Sequence, residues 1–277
     1  MTEITQEQLE RAGYGVKAAP DGAWRKYDER RPIPGYFQFD WLSSRHPDLY
    51  HMFALSTLGF MHELETLVDL AGLDVIDLGA GTGRVALEAA QKADKVAAVD
   101  FFESVVVYGR EIMRRSGIKN VHYLIGDNGH LPLPENSMDA AICAWAYWNH
   151  AEAHRVVKPD GWLISLVPAP GAWCGELTAT LADVYPEIIT EIGPAAPLDP
   201  AFPDADSLIR KNTWNGVPVT APIRVHDFTY VAEYGDPIEA AAILGRLYGP
   251  KAKSYMLDRR QSTLAWRLRI EICHTRK

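Results

Sequence analysis

The chain has 277 residues, a net charge of −8, and 47% hydrophobic against 23% charged residues. Those figures describe a globular chain of one large domain, or of one domain with a sizeable insertion. The acidic total argues against a broad nucleic-acid face, which needs clustered Lys and Arg. Three widely spaced cysteines, Cys143, Cys174 and Cys273, form no CxxC pair, which speaks against a disulfide framework or a zinc cluster.

The first sixteen residues, "MTEITQEQLERAGYGV", carry no apolar core of a secretory leader, and no run approaches eighteen apolar residues. A cytoplasmic protein without membrane spans is expected. Residues 1 to about 45 are polar, and "RRPIPGYFQFDW" reads as a loop punctuated by Pro32, Pro34 and Gly35. From Pro47 to Ala71, apolar residues recur at helical spacing and predict one or two helices.

An alternation follows. "DVIDLG" reads as a buried strand, "GRVALEAAQK" as a helix, "KVAAVD" as a second strand, and "ESVVVYGREIMRRSG" as a helix stopped by Gly117. "VHYLIGD" and "MDAAICAW" are the third and fourth strands, separated by the turn-rich "LPLPENS". "AEAHRVV" is a short helix and "GWLISLVP" a fifth strand. Strands alternating with helices imply crossovers and a parallel sheet, with ligands bound beyond its carboxyl edge. Residues 169–220, rich in Pro, Gly, Ala and Trp, break this rhythm as an insertion. "IRVHDFTYV", "DPIEAAAILGRLYG" and "TLAWRLRIEICHT" then resume as strand, helix and strand. There is no internal repeat.

The stretch "VIDLGAGTGR" packs Gly79, Gly81 and Gly83 into five positions straight after a strand. Each glycine costs backbone entropy, so a close approach to the main chain is implied. Asp100 ends the second strand about twenty residues further on, where a carboxylate can accept from both hydroxyls of a ribose. Asp127 ends the third strand.

Together, "VIDLGAGTGR", "VAAVD", "IGDNGHLPLPENSMDAAI" and "RVVKPDGWLI" resemble a class I S-adenosylmethionine-dependent methyltransferase over residues 74 to 167. The resemblance implies a doubly wound, mostly parallel seven-stranded α/β sheet of Rossmann-like type. Residues 1–70 would form a helical cap or lid, and residues 71–277 the methyltransferase domain, its 169–220 insertion covering the acceptor site. It further implies that Gly79, Ala80, Gly81 and Gly83 line the methionine part of S-adenosylmethionine. Asp100 would hold the ribose, Asp127 and Asn128 the adenine edge, and Phe101 the adenine face. Asp77 is read either as a partner of the cofactor's ammonium or as an acid tying down the turn. S-adenosylhomocysteine would be the product.

The loop after the fourth strand faces the methyl group in that family, which places Trp145 by the cofactor and Tyr147, Trp148 and Asn149 by the acceptor. His150 and Tyr147 are the catalytic candidates, His150 because an imidazole suits proton removal near neutrality. Trp173, Trp214, His226 and Tyr36 are further acceptor-site candidates, with ordinary packing as the alternative for each. No cluster has metal-ligand spacing, so no metal is expected. The expected function is methyl transfer to a small molecule, with no nucleic acid as partner and a homodimer left open. Two alternatives stand beside it: a regulator or scaffold that binds the cofactor without turnover, and a nicotinamide-dependent oxidoreductase. The second is disfavoured because Arg84 follows GxGxG where a dinucleotide motif has its third glycine spacing.

Overall fold

A computed structural model of the chain describes residues 43, 46–56, 59–146, 149–169, 172, 174–182, 213–214, 217–218 and 223–276, with backbone alone at 56, 213–214 and 217–218. Two helices come first, α1 (Pro47–Ser56) and α2 (Gly59–Glu65). The alternating part runs β1 (Asp74–Leu78), α3 (Arg84–Ala89), β2 (Lys95–Asp100), α4 (Glu103–Arg115), β3 (Val121–Ile125), β4 (Met138–Ala144), α5 (His150–Val156) and β5 (Val157–Pro168). Then come a single turn at Gly175–Leu177, α6 (Thr178–Leu181), the short β6 (Thr213–Trp214) and β7 (Val217–Pro218), β8 (Arg224–Glu233), α7 (Pro237–Tyr248), α8 (Pro250–Arg259) and β9 (Thr263–His274).

Seven strands form one sheet in the order β3-β2-β1-β4-β5-β9-β8. The pairings from β3 through β5 are parallel, whereas β9 is antiparallel to both β5 and β8. The seven-stranded, mostly parallel sheet implied by the sequence is therefore present. The central strands are buried on both faces, which is why "DVIDL" and "KVAAVD" read as continuous apolar runs. Successive β1 residues serve two cores: Val75 belongs to the cluster that also holds Phe53 and Trp266, and Ile76 to the one that holds Val156 and Leu163. The edge strands β3 and β8 instead alternate between covered and exposed positions.

Local chemistry sets the element ends. Glu103 opens α4 and Arg114 and Arg115 close it, matching the helix dipole, and Gly117 (φ 71°) stops it. Asp236 caps α7 reciprocally with Glu239, and Pro237 occupies its first position. The sequence carries no expected element over 250–259, where the structure forms α8. Proline after Gly249 reads as a helix stop, yet Pro250 is the first residue of a new helix.

Two features build the functional edge. The last five rungs of β8 and β9, Thr229–Glu233 against Thr263–Arg267, rise past the end of β5 as a two-stranded arm. Helix α1 packs against α3, α4 and α7.

Candidate functional site

The glycine turn connects β1 to α3. The amides of Gly79 and Ala80 both donate to the Val99 carbonyl, each at 2.9 Å, which hooks the turn onto β2. All three glycines have positive φ: 68° at Gly79, 57° at Gly81 and 94° at Gly83. The resemblance assigns all three to the cofactor, and their neighbours within the protein differ. A β-carbon on Gly83 would collide with the Tyr123 hydroxyl and come within 2.7 Å of Met113 Cε. Gly83 thus serves helix–strand packing. A β-carbon on Gly81 would come within 2.9 Å of the Tyr50 ring, and one on Gly79 would collide with Ala146. Ala80 is buried beside them, and Thr82 Oγ1 is buried with no hydrogen-bond partner among the described residues.

Asp100 closes the turn from the tip of β2. Its Oδ2 accepts from the Gly81 amide at 2.8 Å and its Oδ1 from the Phe102 amide at 2.9 Å. Burial raises the carboxyl's pKa, and these amide donors oppose the shift. Phe101, half-buried beside it, stands edge-to-face with Phe102 at 5.6 Å.

Asp77, read either as a partner of the ammonium or as an acid tying down the turn, is hydrogen-bonded to the helix that follows the turn. Its Oδ2 accepts from the Ala86 amide at 3.1 Å, tying α3 to the strand beneath it. Burial raises its pKa to about 7, opposed by the Arg84 guanidinium. Arg84 itself is 4% exposed, donates to the Ala144 carbonyl at 3.0 Å, and lies 4.8 Å from the Trp145 ring centroid and 5.1 Å from that of Phe60. The sequence reading used Arg84 only to disfavour a dinucleotide site, and it passed over Tyr50. The signal for Arg84 was a charge placed directly after the turn, at the start of a helix that must be buried.

Trp145 follows β4 with φ 54°, a left-handed conformation that a bulky residue rarely adopts. Its amide donates to Leu166 on β5 at 2.9 Å. Its ring joins Phe53 (6.1 Å), Phe60 (5.9 Å) and Trp266 (5.0 Å). The rings around Trp145 thus come from α1, α2 and β9.

On the other flank, Asp127 Oδ1 accepts from Gly129 at 2.7 Å, which shapes the turn after β3. Asn128 stands next to Gly79, with its Nδ2 3.7 Å from where a β-carbon would be. Arg155 of α5 pins this loop through the carbonyls of Leu131 and Leu133, and Glu152 accepts from the Leu131 amide.

Two acceptor candidates are otherwise engaged. Asn149 gives its carboxamide oxygen to the amides of Ala151 and Glu152, as the N-cap of α5, so that oxygen is not free for a substrate. His226 lies on the outer strand β8, where Nε2 meets Glu63 Oε1 at 2.7 Å; the structure does not bring it to the turn. His150 opens α5, and burial lowers its pKa to about 4. Tyr36, Tyr147, Trp148 and Trp173 lie outside the described residues, as does the side chain of Trp214. Among the described residues no three His, Cys, Asp or Glu side chains converge as metal ligands, and no helix is long and apolar enough to cross a membrane.

This sheet order, with a positive-φ glycine turn and an acidic tip on the next strand, is the Rossmann-like arrangement of class I methyltransferase folds. Residues 75–161 match a family model described as "Methyltransferase domain". In sequence the chain is 39% identical over 99 residues to phosphoethanolamine N-methyltransferase 3 of Arabidopsis thaliana, covering 34% of this chain and 20% of that one. It is 36% identical over 106 residues to demethylmenaquinone methyltransferase of Symbiobacterium thermophilum, covering 34% of this chain and 42% of that one. The chain therefore spans about a fifth to two fifths of these relatives' lengths. Among solved structures, the YcgJ protein of Bacillus subtilis aligns with a TM-score of 0.50 at 15% identity, over 79% of this chain and 98% of that one. That likeness shows the shared fold.

Proposed function

We propose that this protein transfers a methyl group from S-adenosylmethionine to a small-molecule acceptor. The observation that carries the reading is the bare turn at Gly79 and Gly81, hooked to a buried carboxylate, Asp100, at the carboxyl edge of the sheet. Its residues fit the cofactor. Gly79 and Gly81 take a left-handed turn that carries no side chains of its own, which suits the methionine part, and the unpartnered Thr82 hydroxyl adds a polar group beside it. Asp100 keeps acceptor capacity for ribose hydroxyls beyond the backbone amides it binds. Asn128, next to Gly79, and Asp127 serve the adenine end.

S-adenosylmethionine supplies a methyl bonded to a positively charged sulfur, open to direct displacement by a nucleophile in line with that bond. The protein's part is then positioning and exclusion of water. Trp145, fixed by the hydrogen bond its amide donates to the Leu166 carbonyl, walls the reacting side. His150 is the base that takes a proton from an oxygen or nitrogen acceptor. Burial lowers its pKa to about 4, so its imidazole is neutral at physiological pH. Relatives named for phosphoethanolamine and quinones support a small molecule as the acceptor.

The test is calorimetric titration with S-adenosylhomocysteine followed by a methyl-label assay across metabolite extracts. Binding with label transfer is the expected result. No binding overturns the reading, and binding without transfer to any extract favours a regulator that keeps the cofactor fold.

A further inference from the structure

A second concavity lies away from the glycine turn, and the inference drawn from it rests on the cleft alone. It measures about 640 Å³ and is framed by α1, the upper end of β8 and the start of α7. That is within the ~300–1,000 Å³ range of small-molecule pockets. Helix α1 turns Tyr50 and Phe53 inward but presents Met52 (46% exposed) and Leu55 (38% exposed) to this cleft. Ile243 of α7 lines its inner side, and Tyr230 of β8 adds a ring. Exposed apolar side chains gathered around a concavity mark a place where something apolar is meant to rest.

The polar groups of the same cleft carry one sign. Glu233 and Glu239 line it, and none of the nine lining residues is Lys, Arg or His. Glu239 gives Oε2 to the Asp236 amide as part of the helix cap. Glu233 has no ion-pair or hydrogen-bond partner among the described residues. Both carboxylates are exposed to solvent at the cleft, where they repel an anion and leave a neutral apolar ligand without a polar partner. A cation with an apolar body satisfies both the carboxylates and the apolar walls, and Tyr230 offers it a ring face.

We propose that this cleft binds an apolar organic cation, an alkyl- or aryl-substituted ammonium of drug-like size. The cleft shares no lining residue with the glycine turn. Phe53 stacks on Tyr234 (6.0 Å) on one side and on Trp145 (6.1 Å) on the other, so these rings stand between the two sites.

The probe is 4-phenylbutyltrimethylammonium, titrated calorimetrically into the full chain, with 5-phenylpentanoate as the anionic control. The cation should bind at least tenfold more tightly than the carboxylate. Glu233→Gln should weaken the cation fivefold or more. Val231→Lys, at a position 53% exposed on the cleft's rim, should abolish binding while the thermal unfolding midpoint stays put. Equal affinity for the two probes, no binding of the cation, or an unchanged Glu233→Gln titration each overturns the proposal. S-adenosylhomocysteine affinity should survive both substitutions, so failure here is distinct from failure of the methyltransferase reading.

Discussion

The carboxylate of Asp100, at the end of one strand, holds the amide of Gly81, in the middle of the turn that leaves the neighbouring strand, at 2.8 Å. One side chain thus fixes the turn's shape and presents acceptor capacity at the carboxyl edge of the sheet. Asp100→Ala should lower S-adenosylhomocysteine affinity at least about tenfold, because the ribose loses a charge-assisted acceptor. It should also cost roughly 1–3 kcal/mol of stability, because the Gly81 and Phe102 amides lose their partner. Calorimetric binding and urea denaturation read the two separately. Unchanged affinity would remove Asp100 from the ribose site.

The glycines of the turn should separate by readout. Gly83→Ala meets the Tyr123 hydroxyl and Met113 inside the core, so it should destabilise the fold by about 2 kcal/mol or more. Gly81→Ala meets the Tyr50 side chain, and its larger effect should be on cofactor affinity. Thermal melts with and without S-adenosylhomocysteine distinguish these outcomes; equal loss of stability in both variants would contradict the division.

Asp77 predicts a pH dependence. Burial raises its pKa from the ordinary carboxylate value to about 7, so the folded chain holds a proton there that the unfolded chain releases. The unfolded state binds fewer protons between about pH 4 and 7, and stability contributed by this group falls as pH rises through that window. Relative to Asp77→Asn, the native chain should lose up to roughly 1 kcal/mol per pH unit across it and nothing further above. A stability gap between the two proteins that stays constant from pH 4 to 8 would refute the assignment.

Removing the buried guanidinium should sharpen that effect. Arg84→Met keeps an apolar stem but removes the guanidinium that lies over Trp145 and Phe60 and leaves Asp77 without its cation. The variant should be least stable at alkaline pH, where Asp77 must ionise unaided, by about 3 kcal/mol or more. Adding Asp77→Asn should recover part of the loss. Additive losses in that double-mutant cycle would mean the two groups do not interact.

His150, held at about 4 by burial, implies a base that stays unprotonated well below neutrality. With an oxygen or nitrogen acceptor, the acid limb of kcat should fall near pH 4 rather than near the ordinary imidazole value of about 6.5. His150→Ala should lower kcat about 10²–10⁴-fold with cofactor affinity unchanged. A variant of native turnover would assign proton transfer to another group.

The alternating βα pattern, the glycine turn and the acidic strand tips were legible because each is a local event. Apolar runs bounded by turns report burial, a glycine reports a conformation closed to other residues, and an acid ending a strand has its position fixed by the sheet. Asp77 shows where local reading stops: two roles fit its place in the sequence, and its actual neighbours, the Ala86 amide and the Arg84 guanidinium, come from the folded helix above it. His226 was a reasonable site residue by type, but the neighbour that engages it, Glu63, lies 163 positions away.

From the sequence alone came the sheet, the turn and the carboxylate beside it, since these follow from periodicity and backbone sterics over short spans. Tertiary structure decided that Gly83 serves packing, that Tyr50 lies over Gly81, that Trp145 gathers rings from three other elements, and that β8 and α7 frame a second cleft with α1. Those relations join residues far apart in the chain, and long-range contacts are set by how whole elements dock, which no local pattern of side chains encodes.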